Sequence, residues 1–144
     1  MAKRSILDWH PLLEEEGFEL TSEVDDGYNC IAWAAEDTAR WWWPESDDAY
    51  WPSGVSDETS VAAFVEAFET LGYERCEGDW LENGYLKIAI YADANDEPTH
   101  ASRQLPDGSW THKLGEWEDL TSTLRGVVCD AYGDPIVYMR RVVR

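Results

Sequence analysis

The sequence predicts an α+β fold in which helices pack on an antiparallel sheet. Three observations carry this reading. Val61, Phe64, Val65, Phe68 and Leu71 recur at helical spacing and are stopped by Gly72, the pattern of an amphipathic, core-facing helix. Residues 85–92, 98–105 and 109–114 are extended in character and joined by short turns, which reads as an antiparallel meander. Cys30 stands where a polar, turn-forming run gives way to Ile31, Ala34 and Ala35, a small-residue helical face suited to lying closely on a sheet.

Taken in order, residues 1–10 form an arm, pinned by Ile6, Leu7 and Trp9. Pro11 opens a short helix through Glu16, and Gly17 ends it. Phe18, Glu19 and Leu20 form a short extended piece. The Cys30 helix continues through Thr38 into Arg40 and Trp41 to Trp43, and Pro44 terminates it. Three adjacent tryptophans cannot all face one core, so at least one is partly exposed or lines a groove. Residues 45–58 form a loop anchored by Tyr50 and Trp51, of the length that borders a site in a small domain. Thr59 or a nearby serine caps the amphipathic helix. A short strand at 73–76 follows, then the meander. Residues 115–128 hold a capped segment with one helical turn, 129–134 a loop, and 135–143 a last strand.

Composition bounds the possible functions. With 144 residues the chain fits one domain, 1–144. A hydrophobic content of 44% and an aromatic content of 13% exclude a disordered acidic tail. The net charge of −19 and pI near 4.2 leave no basic stripe for phosphates, which excludes nucleic acid and anionic membrane surfaces as partners. A small-molecule or peptide substrate, or a basic protein partner, suits that charge. Cys30, Cys76 and Cys129 are odd in number and widely spaced, so they do not form a disulfide framework. No Cys-x-x-Cys pair exists and only 3 histidines are present, so neither a metal nor another cofactor is expected. No apolar run follows the basic residues near the N-terminus, which points to a reduced, cytoplasmic protein.

The chemical candidates start from Cys30. A thiol in the first turn of a helix is a candidate nucleophile. It needs a base, and the chain offers His10, His100 and His112. His10 lies in the arm, whereas His100 sits within the meander. Trp33, Trp42, Trp110, Lys87 and Lys113 are candidates for the wall of a groove around that pair.

The segment Lys87-Ile88-Ala89-Ile90-Tyr91, followed by Thr99-His100-Ala101-Ser102, resembles the sheet signature of NlpC/P60-like papain-type cysteine hydrolases. Tyr28-Asn29-Cys30 stands where that family has Asp-Cys-Ser-Gly. The chain is also similar to an uncharacterised bacterial domain family. Its Tyr-Asn-Cys-x-Ala-Trp-Ala block corresponds to residues 28–34, and its Thr-His-Ala-Ala-Arg-Gln-Leu … Trp-Thr-Ser-Lys-Leu-Gly block to 99–115, with His112 replacing a serine. The first resemblance implies a small papain-like fold and a cysteine hydrolase. At the position of that family's general base this sequence has Lys87, and His100 matches its orienting residue.

Two readings follow. In one, the protein is a cysteine hydrolase or amidase acting on an amide or isopeptide bond. Cys30 and His100 form its dyad, with Asn29, Gln104 or His112 orienting or supporting the oxyanion. In the other, hydrolysis is lost and the domain is a binding module or acidic inhibitor engaging a protein partner.

Overall fold

The computed structural model describes residues 2–22, 25, 27–114 and 119–143. The arm is a helix, α1 (Ala2–Trp9), followed by α2 (Leu12–Glu16). Gly17 ends α2 at φ 84, a left-handed conformation that favours glycine, and its N–H reaches the Leu13 carbonyl. After β1 (Phe18–Leu20) the chain forms α3 (Cys30–Ala34), the long loop, and α4 (Val61–Glu69). Ser60, not Thr59, caps α4: its Oγ accepts from the Ala63 N–H at 3.1 Å. Strands β2 (Glu74–Cys76), β3 (Tyr85–Ala92), β4 (Pro98–Gln104) and β5 (Trp110–Lys113) lie where the sequence predicts them. A fourth meander strand, β6 (Asp119–Ser122), and a 3-10 turn at Arg125–Val127 occupy much of the stretch expected to hold one helical turn. Residues 115–118 of that stretch lie outside the described residues. The last strand is β7 (Asp134–Val142).

All seven strands join one sheet in the order β1-β6-β5-β4-β3-β7-β2, every neighbouring pair antiparallel. Strand alternation divides the core in two. Ile88, Ile90, Ala101, Val137 and Met139 point to the face covered by α3 and α4, through Ile31, Ala32, Ala34, Phe64 and Phe68. Ala89, Tyr91, Trp110 and Leu120 point to the other face, covered by Ile6, Leu13 and Val127. Phe64 and Phe68 are fully buried, each contributing roughly 1.5–3 kcal/mol relative to exposure. No helix of the described residues is long and apolar enough to cross a membrane.

The expected small papain-like, NlpC/P60-like α+β domain is therefore corrected. The molecule is mainly a seven-stranded antiparallel sheet with a few short helices. One physical reason lies in the cysteine helix, which stops at Ala34 instead of reaching Pro44. Glu36 turns left-handed at φ 65. Asp37 then organises a bend, its carboxylate accepting from the Ala39 N–H at 2.9 Å, Arg40 Nε at 2.8 Å and Trp42 Nε1 at 2.8 Å. Trp42 continues as an isolated bridge to Tyr50. A second reason is β4, where alternation turns His100 away from the face that Ala101 presents to α3.

Candidate functional site

Asn29 builds the neighbourhood of Cys30. As the N-cap of α3, its Oδ1 accepts from the Ala32 N–H at 3.1 Å. The same oxygen accepts from the Trp42 N–H at 3.1 Å, and Nδ2 donates to the Trp42 carbonyl at 2.8 Å. The carboxamide thus acts as a piece of strand backbone, tying the tryptophan run over the start of α3. Trp42 itself faces the core, 4.8 Å from the Tyr50 ring. Its neighbours Trp41 and Trp43 turn toward a pocket of about 690 Å³ with Cys30 in its lining. Trp43 is braced edge-on against Phe64 at 5.3 Å.

The far wall of that pocket is Tyr132, with Thr99 beside it. Thr99 Oγ1 donates to the Tyr132 carbonyl at 2.6 Å, fixing the loop to β4. The next residue, Gly133, has φ 72, and a Cβ there would collide with the Ala92 carbonyl. Only glycine fits this close approach. Ser46, Asp48 and Ala49 of the long loop complete the rim.

Cys30 Sγ is 4.0 Å from the Thr99 carbonyl, toward which its S–H points. Burial pushes the thiol up to about 11, and neighbouring N–H groups and Lys113 only partly offset this. The thiol therefore keeps its proton at neutral pH.

His100 points to the opposite face of β4. It is fully buried between Tyr91 and Tyr132, stacked on the latter at 4.4 Å. A directed hydrogen-bond chain fixes its tautomer. Ser122 Oγ donates to the Thr123 carbonyl at 2.6 Å, so it accepts from His112 Nε2 at 3.0 Å. His112 Nδ1 then accepts from Ser102 Oγ at 2.6 Å, and Ser102 Oγ accepts from His100 Nε2 at 3.0 Å. Both rings are neutral in this chain, and His100 Nδ1 is left buried without a hydrogen-bond partner. Burial and mutual repulsion lower His100 well below its ordinary value; burial lowers His112 to about 3. His10 is lowered by burial too, while its Nδ1–H donates to the Val127 carbonyl at 3.0 Å.

The remaining candidates divide between the two faces. Trp33 lies on the Cys30 face, its Nε1 donating to Thr111 Oγ1 at 3.0 Å. Lys113 is buried on that face, 5.6 Å from the Tyr28 ring, opposite Asp119 in the β5–β6 register. Tyr28 donates its hydroxyl proton to Asp119 Oδ2 at 2.8 Å. Lys87 lies on the His100 face, paired with Glu82 at 2.9 Å and donating to the Gly78 carbonyl at 3.0 Å. Gln104 lies there as well, its Nε2 donating to the Asp79 carbonyl at 3.0 Å, beside buried Trp110. The structure thus brings Asn29 to Cys30 and His112 to His100, with the backbone of β4 between the two groups. Trp41, Trp43, Asp48 and Tyr132 enter the pocket without having been singled out individually. The long loop and the tryptophan run signalled the first three; Tyr132 carried no sequence signal beyond its place before a glycine. Among the described residues no group of three His, Cys, Asp or Glu side chains could hold a metal ion.

Residues 19–140 match a family described as Domain of unknown function (DUF7689), and the chain belongs to that family. No curated protein matches the chain. No solved structure matches it either.

Proposed function

We propose that this member of the DUF7689 family is a binding module whose ligand enters the aromatic pocket beside Cys30. The observation that supports this most is a roomy, largely aromatic pocket whose cysteine lies across β4 from the buried His100–His112 pair. The pocket's volume of about 690 Å³ is that of a small-molecule site. Its rings supply apolar contact area, and its thiol acts as a soft, neutral lining group. The ligand is a small molecule or a side chain of a peptide or basic protein partner, matching the net charge of −19.

A second reading, a cysteine hydrolase or amidase cleaving an amide or isopeptide bond, draws on the presence of Cys30 in the pocket lining. It requires a thiolate near neutral pH and a base able to reach it.

Two measurements on the whole chain separate the readings. With Cys76 and Cys129 replaced by serine, alkylation of Cys30 is followed against pH, alone and with His100→Ala. The binding reading expects slow alkylation at pH 7–8 that is indifferent to His100. A fragment screen by NMR is expected to shift the indole N–H signals of Trp41 and Trp43. A thiolate already formed well below about 8.5, and lost with His100, would favour the amidase. Fragments that leave those indoles unmoved would count against the binding reading.

A further inference from the structure

We propose that the Cys30 pocket is a cage for a methylated ammonium group, a deepening that rests on the binding reading above. Trp41, Trp43 and Tyr132 line one pocket together, Tyr132 with one ring face already stacked on His100, and Asp48 lines it with them. Aromatic faces carry negative potential and attract cations that have little hydration to lose. None of the pocket's lining residues is Lys, Arg or His. The nearby Arg40 is engaged elsewhere, its guanidinium 3.5 Å from the Tyr50 ring centroid and its Nε 2.8 Å from Asp37. The net charge of −19 draws cations toward the protein from a distance.

The polar groups of the lining argue for a methylated cation over a primary amine. A primary ammonium brings three N–H donors, and each needs an acceptor when it leaves water. Asp48 offers such a cation a carboxylate at the exposed rim, but deeper in the pocket Asn29 Oδ1 already accepts from two N–H groups and the Thr99 carbonyl faces the Cys30 thiol. A quaternary ammonium has no N–H to satisfy and presents only methyl groups to the rings. Cys30, held protonated, places no competing charge beside it. The pocket volume of about 690 Å³ exceeds that of a trimethylammonium head alone, leaving room for the body attached to it.

The same head group occurs on free choline-like molecules and on trimethyllysine within a peptide. Titration calorimetry and indole NMR on the full chain would use choline, its neutral tert-butyl analogue, a trimethyllysine peptide and the same peptide with unmodified lysine. Choline is expected to bind at least tenfold more tightly than the neutral analogue, with shifts at Trp41 and Trp43. Trp41→Ala, at an exposed position, is expected to weaken choline at least tenfold while thermal stability is kept. Equal binding of choline and the neutral analogue at those indoles would overturn the cage and leave the binding reading standing. Failure of both cations to bind would also overturn the cage, and the fragment screen would decide the binding reading separately. If the trimethyllysine peptide binds at least tenfold more tightly than both choline and its unmodified twin, the cage is supported and its ligand is a peptide. Choline binding that the peptide does not exceed supports the cage with a free small molecule.

Discussion

Asn29 and Trp42 are joined at both ends of one carboxamide: its oxygen takes the Trp42 N–H and its nitrogen gives a proton to the Trp42 carbonyl. The same oxygen caps α3. One side chain thus sets the start of the cysteine helix and the path of the tryptophan run. Asn29→Ala removes a cap and two further hydrogen bonds, which is expected to cost about 2–4 kcal/mol. Urea unfolding would measure this. Asn29→Asp keeps the acceptor but sets a carboxylate against the Trp42 carbonyl, and is expected to be destabilising as well. An Asn29→Ala protein as stable as the parent would refute this role.

The histidine chain predicts an acid-sensitive fold. Native pKa values below the unfolded value mean that stability is fully present above about 6.5 and is lost as pH falls. For His100 and His112 the loss is roughly 1.4 kcal/mol per pH unit each until the native group itself titrates. For His112 that point is about 3. The carboxylates of Glu16, Asp37, Glu82 and Asp107 are also held below their ordinary values. Their contribution begins to be lost only as pH falls toward about 4.5, so the range between about 6.5 and 5 belongs to the histidines. Urea midpoints across that range should flatten in His112→Gln relative to the parent; an unchanged slope would contradict the assignment.

The Cys30 thiol carries the opposite sign at high pH. Its native pKa of about 11 lies above the ordinary thiol value. Its contribution is complete below the unfolded value and declines as pH rises from there toward 11. Cys30→Ala should show less loss of stability between pH 9 and 11 than the parent, measured by thermal unfolding in each buffer.

Gly133→Ala tests the far wall of the pocket. A methyl group there meets the Ala92 carbonyl and the residue is at φ 72. A cost of about 3 kcal/mol or more is expected, together with movement of Tyr132. Circular dichroism melting and the Tyr132 ring signals would report both effects. A variant that melts with the parent would show that the loop has another way to pack.

Lys87 is buried whole, with its charge met by Glu82. Lys87→Ala should cost about 2–4 kcal/mol, mainly through lost packing and the cavity left behind, since Glu82 keeps its pairing with Arg140. Lys87→Met, which keeps the volume, should cost less. The order of the two urea midpoints checks the point.

Local pattern made much of this fold legible. The α4 stripe, the β3–β5 meander and the Gly17 and Gly72 stops each rest on residues close in sequence. The length of the cysteine helix was hidden because Asp37 ends it through bonds to a tryptophan that sequence reasoning had placed on the same helix. The β6 strand was hidden because its pairing with β5 and β1 is a matter of sheet order. In the site, Cys30 and the loop over it could be read, since a cap residue and a long anchored loop are local features. The facing of His100 could not: alternation says that His100 and Ala101 oppose each other, but only the packing of α3 decides which of them meets Cys30.

β7 runs for nine residues, yet β2 pairs only with Tyr138, Met139 and Arg140. The outer margin of β7 around Ile136, itself 45% exposed, is a template on which another strand could dock. Near neutral pH the surplus of acidic charge keeps copies apart. Near the pI of about 4.2 that repulsion vanishes, in an acid range where the buried histidines have already weakened the fold. Acid exposure is thus expected to end in irreversible association, so that storage lifetime in acid follows a rate of aggregation instead of an equilibrium of unfolding.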